Sequence, residues 1–522
     1  MCKRGYFHLA FILAAICAWA GATATDWPQF GYDQAHSGFN RQEHGYPTPD
    51  GNTVLFHYSL PAGTDIVDGA PVYLAGVQTD SGTKNLLFAL SNNGTQLALN
   101  ADSPSLDVVW SHKPTGAGNT TKGFGSPAIG PGGEFVYFYG FDGKVHKYAV
   151  GDGSEVTSGG WPQVSTLKPN VDKGAGGLSI ATAQDGTTYL YSVTDGYIGD
   201  GGDYQGHLTA IDLGNGSQKV FNSLCSELTI HFVANGTTSG AGQNDCSSRQ
   251  SGIWGRPGAV YDEGTDRVFI MTGNGPFDAG ALNWGDSLLA LNPDGSGAGN
   301  GLPMDSYTPD TYANLQGHDA DFGSASIAIL PAPPGTAAAY QHIAMAGGKD
   351  GCVRLVNLAD LGGVGGEIQK FDFAGGGSCT NGSNSSDIKP QPAVWVNPSD
   401  HSTWVYIATY SHGFAAYKVA LDSDGKPSLV KQWPTNGTAS SGTSPVVANG
   451  VIYYMSGSKL RALDAVTGDT KLTAGSWTTV SYLGQHWQSP IIVNGRIYLF
   501  DNANPSNLWV YQLDGVFQGG FD

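Results

Sequence analysis

Charged residues are scarce in this chain, and those of positive sign are the scarcer. Only 13% of the 522 residues are charged, 25 Lys and Arg stand against 44 Asp and Glu, and the formal net charge is -19. Such an acidic protein repels nucleic acid and anionic membranes, so neither is an expected partner. After residue 24 no stretch approaches the roughly 18 consecutive apolar residues of a membrane helix, so we expect no membrane insertion. Long charged helical faces are also missing, which favours strands and turns.

The first 24 residues have the pattern of a secretory signal peptide. The basic pair Lys3-Arg4 precedes an apolar run from Phe7 to Ala20, and the small-residue pattern Ala22-Thr23-Ala24 follows. The apolar run is too short to span a bilayer. We therefore predict that residues 1–24 are a cleaved signal peptide, and that residues 25–522 form one secreted or periplasmic domain.

Cysteine is rare, and its positions are typical of an exported protein. Four of the six cysteines follow the signal segment, namely Cys225, Cys246, Cys352 and Cys379. An even number predicts two disulfides, for which three pairings are possible. We favour Cys225 with Cys246 and Cys352 with Cys379, because each pair closes one local insertion worth about 3 kcal/mol. The pattern Cys-x-x-Cys-His is absent, so we expect no haem c in this chain.

One unit of three strands joined by tight turns recurs along the chain. Its clearest copy comprises Ser444–Val447, Gly450–Met455 and Lys459–Asp464, and a fourth strand often ends near a Trp before the next unit begins. Eight copies can be aligned on the third strand, at Ala89, Lys147, Ala210, Ala290, Leu355, Ala416, Ala462 and Val510. A four-stranded sheet cannot bury both faces alone, but radial stacking buries them. We therefore predict an all-β, eight-bladed β-propeller of four-stranded antiparallel blades.

The two ends of the chain are predicted to close this ring. The last unit ends at Leu508–Leu513 with too little chain left for a fourth strand. Val54–Tyr58 precedes the first complete unit and is able to supply that strand. Two separate four-bladed bodies are disfavoured, because no linker of suitable composition lies between them.

The recurring unit resembles the pyrroloquinoline quinone (PQQ) repeat, and three segments are similar to the site segments of quinoprotein alcohol dehydrogenases, including the polyvinyl alcohol dehydrogenase-like branch. They are Gly252–Pro257 with Val268–Pro276 and Gly285–Leu291, then Gly317–Gly323, and then Gly347–Leu355. The resemblance implies that Trp254 is the floor on which the flat quinone stacks. It implies that Asn274 binds Ca²⁺, which selects oxygen ligands. The structural alternatives are a core tryptophan and a common Asn-Gly turn.

The other two segments supply the implied catalytic groups. The stretch His318-Asp319-Ala320-Asp321-Phe322 is one residue shorter than the family's His-Asp-x-x-Asp-Phe pattern. On that match Asp321 is the catalytic base and a metal ligand, and Asp319 is the fallback because the register is blurred. Lys349 would hydrogen-bond the quinone oxygens and stabilise charge as they are reduced. As turn residues the two acids and Lys349 would have no such role.

Two departures from the family weigh against catalysis. The family's adjacent cysteine pair is absent, because no two of the four cysteines are neighbours. The family's Glu ligand for Ca²⁺ also has no counterpart in Val193–Asp203, where Asp200 or Asp203 would have to substitute. Nucleophile elbows, zincin motifs and P-loops are missing as well.

Two functions follow as competing hypotheses. The first is a PQQ- and Ca²⁺-dependent dehydrogenase that oxidises a small or polymeric alcohol or polyol and passes electrons to an external acceptor. The second is a non-catalytic propeller that binds a protein or a glycan, because this repeat also builds scaffolds. Convergence of Trp254, Asn274, Asp321 and Lys349 at one end of the ring would favour the first.

Overall fold

The chain folds almost entirely into β-strands in a computed structural model, and only 4% of it is helical. The structure describes residues 25–47, 54–114, 125–197, 201–233, 246–375, 379, 387–409, 413–434, 442–456, 459–470 and 488–514. The predicted signal peptide therefore lies outside the described residues. No helix within these ranges is long and apolar enough to cross a bilayer.

The strands form eight sheets arranged as the blades of a propeller. From the inner strand outward, blade one contains β3 (Val72–Thr79), β4 (Gly82–Leu90), β5 (Gln96–Asn100) and β6 (Val108–His112), and blade two contains β7 (Ala128–Ile129), β8 (Phe135–Tyr139), β9 (Lys144–Ala149) and β10 (Gln163–Val164). Blade three contains β12 (Ser179–Thr182), β13 (Thr188–Gly196), β14 (His207–Asp212) and β15 (Gln218–Asn222), and blade four contains β16 (Val260–Asp262), β17 (Arg267–Met271), β20 (Leu288–Leu291) and β21 (Asp305–Thr308). Blade five contains β22 (Ala328–Pro331), β23 (His342–Gly347), β24 (Cys352–Asn357) and β26 (Gln369–Asp372), and blade six contains β27 (Ala393–Val396), β28 (Thr403–Ala408), β29 (Phe414–Leu421) and β30 (Pro427–Pro434). Blade seven contains β31 (Val446–Ala448), β32 (Val451–Ser456) and β33 (Lys459–Asp464), and blade eight contains β34 (Ile491–Val493), β35 (Arg496–Phe500), β36 (Asn507–Gln512) and β2 (Val54–Ser59).

A few short elements complete the sheets. The strands β1 (Phe39–Asn40), β11 (Asp172–Gly174) and β25 (Gly363–Val364) extend blades seven, three and four, and β18 (Phe277–Asp278) pairs with β19 (Asn283–Trp284). The helix α1 (Tyr312–Gly317) precedes blade five, and 3-10 turns lie at Pro131–Gly133, Ala279–Ala281, Phe322–Ser324 and Ala338–Tyr340.

The predicted ring closure is confirmed, and one predicted register is wrong. β2 pairs antiparallel with β36, so the N-terminal part of the chain supplies the outer strand of the last blade. Ala89, however, lies on β4, which is the second strand of blade one, and the third strand carries Ala98. The two strands pair directly and have the same apolar-Ala-Leu pattern, so the repeat was aligned one strand too early.

The hydrophobic core lies between neighbouring blades. Both faces of each blade are buried, so alternate residues of one strand contact different neighbours. In β28, Val405 and Ile407 pack in a cluster with blade five, whereas Trp404, Tyr406 and Ala408 pack in a cluster with blade seven. This alternation of apolar residues on both faces is what the stacked arrangement requires.

Residues 27–40, here called the inner girdle, run along the inner strands of the ring. The girdle hydrogen-bonds seven blades in chain order, through Tyr73, Ile129, Ile180, Ala259, Val394, Val447 and Ile492. Phe30 and His36 lie buried within it, and His36 Nδ1 is 2.5 Å from the Phe30 carbonyl oxygen. Inner strands have a free edge toward the axis, and the girdle supplies partners for their backbone groups.

Both predicted disulfides are present. Cys225 pairs with Cys246 and Cys352 with Cys379, with Cα–Cα distances of 5.8 and 5.6 Å. The first, with a sequence separation of 21, closes a loop between blades three and four. The second, with a separation of 27, encloses β24 and β26 of blade five, so the prediction that it closes an insertion is wrong.

Candidate functional site

Four residues nominated from the sequence lie on turns of blades four and five. Trp254 precedes β16, and Asn274 follows β17. Asp321 follows α1, and Lys349 lies in the turn between β23 and β24. β16 begins at Val260, six residues after Trp254, and pairs antiparallel with β17, which ends at Met271. Because the start of β16 and the end of β17 meet in this pairing, the loops that carry Trp254 and Asn274 leave the same edge of blade four.

The four residues meet through direct contacts. The Asn274 backbone N–H donates to Asp321 Oδ1 at 2.7 Å. The Lys349 ammonium pairs with Asp321 Oδ2 and lies 5.4 Å from the centroid of the Trp254 ring. Lys349 Nζ also donates to Asp319 Oδ1 at 2.9 Å. We call Trp254, Asn274, Asp319, Asp321 and Lys349 the Lys349 cluster.

Burial distinguishes this cluster from a similar constellation on blade six. There Lys418 lies 5.6 Å from the Trp404 ring and 3.2 Å from Asp400, with side chains 33% and 49% exposed for Lys418 and Asp400. In the Lys349 cluster the corresponding exposures are 15% for Lys349 and 5% for Asp321. Charge–charge interactions are stronger away from water, so the attraction between Lys349 and Asp321 is stronger than that between Lys418 and Asp400.

The carboxylates determine the charge state of Lys349. Burial alone would lower the pKa of its ammonium, but the charges and hydrogen bonds of Asp321 and Asp319 outweigh burial and raise that pKa. Lys349 therefore stays a cation at neutral pH, next to an aromatic ring and a buried carboxylate.

Gly273 allows this close packing. A Cβ at residue 273 would lie 2.3 Å from Asp321 Oδ1 and 3.1 Å from Trp254 Nε1. The backbone is held on both sides, since Gly273 N–H donates to the Gly252 carbonyl at 2.7 Å and its carbonyl accepts from Asp286 N–H at 2.9 Å. Only glycine leaves room for the carboxylate and the indole together.

A buried arginine next to Trp254 was missed by sequence reasoning. The Arg256 guanidinium carbon is 5.8 Å from the centroid of the Trp254 ring, and the side chain faces the charges of Asp68 and Asp195. Burial lowers the pKa of Arg256, while these two carboxylates oppose that change. Asp68 comes from the segment before blade one, and burial raises its pKa to about 7. Arg256 lies within the segment that contains Trp254, but the carboxylates whose charges act on it, Asp68 and Asp195, are remote in sequence.

Asp286 is a second missed carboxyl. Its Oδ1 accepts a hydrogen bond at 2.9 Å from the N–H of Phe322, the residue that follows Asp321 in the chain. Burial, and then the charge of Asp321, raise the pKa of Asp286 well above its usual range. Residue 286 lies in the Gly285–Leu291 segment, where nothing in the sequence distinguishes it from a turn aspartate.

The predicted metal ligands are only partly brought together. Asn274 and Asp321 are in contact, as described above. Asp203 lies beside Lys168, which donates to its carbonyl oxygen at 2.5 Å, and beside Gln205. Asp200 lies outside the described residues. No group of three or more His, Cys, Asp or Glu residues in the described part of the chain could hold a metal ion.

Comparisons with known proteins give the fold. No family model matches this chain, and no curated protein matches it. The chain is similar to a europium-containing methanol dehydrogenase, at 14% identity and a TM-score of 0.61 over 94% of this chain and 98% of the other. It is also similar to a quinohemoprotein alcohol dehydrogenase from Comamonas testosteroni, at 15% identity and a TM-score of 0.61 over 97% and 83% of the chains. A quinohemoprotein alcohol dehydrogenase from Pseudomonas putida HK5 is 13% identical, with a TM-score of 0.60 over 94% and 81%. These likenesses show that the chain has the eight-bladed propeller fold of quinoprotein alcohol dehydrogenases.

Proposed function

We propose that this protein is an exported quinoprotein oxidoreductase that binds PQQ on Trp254 and oxidises an alcohol or polyol with an external electron acceptor. The observation that carries the proposal is the Lys349 cluster. It combines an indole, an ammonium and a buried carboxylate within direct contact at one end of the ring. The two disulfides agree with an exported protein.

The donor set fits a flat, acidic quinone. Trp254 would offer its ring face to the fused rings of PQQ. Lys349 at 5.4 Å and Arg256 at 5.8 Å from that ring would balance negative charge on the ligand. A hydrogen bond from Lys349 would become stronger as charge develops on an acceptor oxygen, which is the requirement for stabilising a transition state.

Asp321 is proposed to receive the proton of the substrate hydroxyl. Its Oδ1 is oriented by the Asn274 N–H at 2.7 Å, and its Oδ2 is paired with Lys349. These two contacts hold the carboxylate in place, and a general base must be held within hydrogen-bond reach of the proton that it takes. PQQ, when bound, supplies the acceptor for the two electrons of the alcohol.

The described residues fit Ca²⁺ less well than they fit the quinone. Both oxygens of Asp321 are engaged, by Lys349 and by the Asn274 N–H, and the ammonium supplies positive charge at this carboxylate. Ca²⁺ takes six to eight oxygen ligands, and Asn274 and Asp321 alone do not approach that number. Lys349 therefore balances the charge of Asp321, and we propose no step at a metal.

Binding of PQQ to the purified protein tests the proposal. Calorimetry with PQQ, with and without added Ca²⁺, should give a saturable heat in the wild type. Trp254→Phe should weaken binding by about two- to tenfold, because an aromatic stacking contact is worth roughly 0.5–1.5 kcal/mol. Lys349→Met should weaken binding by about tenfold or more, because a charged hydrogen bond is worth roughly 1.5–3 kcal/mol. Trp404→Phe and Lys418→Met are the matched controls, since they alter a similar pair whose lysine is more exposed.

Turnover is the second test. Dye reduction with simple alcohols and with a polyol should occur only with PQQ, and Asp321→Asn should abolish turnover while retaining PQQ affinity. Absence of binding at micromolar PQQ would remove the dehydrogenase and favour the non-catalytic scaffold. Full activity of Asp321→Asn would refute the assigned base.

A further inference from the structure

The ammonium of Lys349 has no hydrogen-bond donor left for a ligand. An ammonium has three N–H donors. Lys349 Nζ contacts Asp321 Oδ2, Asp319 Oδ1 at 2.9 Å and the Asp319 carbonyl oxygen at 3.3 Å. Any ligand oxygen that Lys349 is to bind must therefore replace one of these three acceptors.

The two aspartates differ in how easily they can be replaced. The Asp321 side chain is 5% exposed, so separating it from Lys349 would leave a buried charge without its partner. The Asp319 side chain is 64% exposed, so water can solvate its carboxylate as soon as the contact opens. Exposed ion pairs contribute only about 0–1 kcal/mol. Asp319 is therefore the acceptor that costs least to displace.

We infer that Asp319 is an exchangeable counter-ion, whose carboxylate leaves Lys349 when a negatively charged oxygen of the ligand arrives. The inference rests on the proposed function only for the identity of that ligand as PQQ. It assigns Asp319 to the control of ligand affinity and leaves the role of base with Asp321. The ligand oxygen that meets Lys349 should carry negative charge or gain it as the quinone is reduced, since it takes the place of a carboxylate.

Neutral replacements of Asp319 test the exchange. Residue 319 has a φ of 52°, in the left-handed region that Asn and Gly tolerate. Asp319→Asn removes the charge, and Asp319→Gly removes both the charge and the side-chain acceptor. Asp310→Asn is the matched control, because Asp310 is also exposed and its Oδ1 lies 2.8 Å from the ammonium of Lys370, which is not part of the Lys349 cluster.

Calorimetric titration with PQQ, and separately with oxalate as a simple dicarboxylate, gives the readout. Both Asp319 variants should bind each probe about two- to fivefold more tightly than the wild type, which corresponds to the loss of one exposed ion pair. The gain should shrink at high salt. Asp310→Asn should leave both dissociation constants unchanged. The urea midpoint of Asp319→Asn should move no further than that of Asp310→Asn.

The two probes separate this inference from the proposed function. Tighter oxalate binding without any PQQ binding would support the exchange and refute the quinone. PQQ binding that is unchanged or weaker in both Asp319 variants would overturn the exchange and leave the proposed function standing. Absence of binding to either probe in all variants would overturn both.

Discussion

Replacing Gly273 by alanine should disrupt the Lys349 cluster from within. The added Cβ would lie 2.3 Å from Asp321 Oδ1 and 3.1 Å from Trp254 Nε1. Real Cβ atoms essentially never approach other heavy atoms closer than 3.0 Å, so either the carboxylate or the backbone must move. Asp321 cannot move freely, because the Asn274 N–H and the Lys349 ammonium hold its two oxygens.

The expected cost follows from these contacts. Overpacking a close-packed interior costs about 1–3 kcal/mol. Loss of a hydrogen bond to a charged group costs about 1.5–3 kcal/mol. We expect Gly273→Ala to lower the free energy of unfolding by about 2–4 kcal/mol, and to weaken PQQ binding because Trp254 and Lys349 shift with the carboxylate.

Urea denaturation of Gly273→Ala beside Gly317→Ala is the assay. Gly317 ends α1 in the same region, and a Cβ there would meet nothing within 4 Å. The control should be neutral or slightly stabilising, because alanine favours the helix. Equal stability of the two variants, with unchanged ligand affinity, would refute the packing described for Asp321, Gly273 and Trp254.

Three further predictions concern other parts of the molecule. Gln29→Met should lower the free energy of unfolding by about 2 kcal/mol or more, because Gln29 accepts from the Ile180 N–H at 2.7 Å and donates to the Ile180 carbonyl at 3.2 Å. The control Gln432→Met, at an exposed position, should leave the midpoint of the same urea titration unchanged. Equal midpoints of the two variants would contradict the role of the inner girdle. Burial would lower the pKa of His146, but Asp142 and Glu155 outweigh burial and raise that pKa. The folded wild type should therefore be more stable than His146→Gln by the full amount below about pH 6.5, and this difference should be lost as the pH rises through the raised pKa. A difference in unfolding free energy that stays constant with pH would argue against a charged His146 held between Asp142 and Glu155. Joint replacement of Cys225 and Cys246 by Ser should cost about 3 kcal/mol in thermal unfolding, and a melting temperature insensitive to reductant in the wild type would contradict a stabilising bond.

Several features were predictable because their signals are local. Alternating apolar strands and tight turns recur at each blade, and they predicted the propeller. The two cysteine pairs are each close in sequence, at separations of 21 and 27 residues, so the nearest pairing was also the observed one. The register failed only at Ala89, where two adjacent strands carry the same pattern. Local patterns identify strands well, but they do not number strands whose sequences are alike.

The candidate site was predictable to the extent that its residues resemble a family pattern. Trp254, Asn274, Asp321 and Lys349 were nominated on that ground, and the structure brings them into contact. Arg256 and Asp286 were overlooked. What distinguishes them is burial among charges that come from remote segments, such as Asp68 for Arg256 and Asp321 for Asp286. No spacing in the sequence reports such a neighbour.

The sequence by itself determined the strands, the blade number, the ring closure and the disulfide pairs, because each depends on the period of apolar residues or on chain ends and insertions that can be read directly. Only the tertiary structure decided which charges meet. Circular stacking brings residue 68 to residue 256, leads the inner girdle past seven blades, and presents both Asp319 and Asp321 to one lysine. The physical reason is that burial and Coulomb interactions depend on distance in space, which the ring sets independently of distance along the chain.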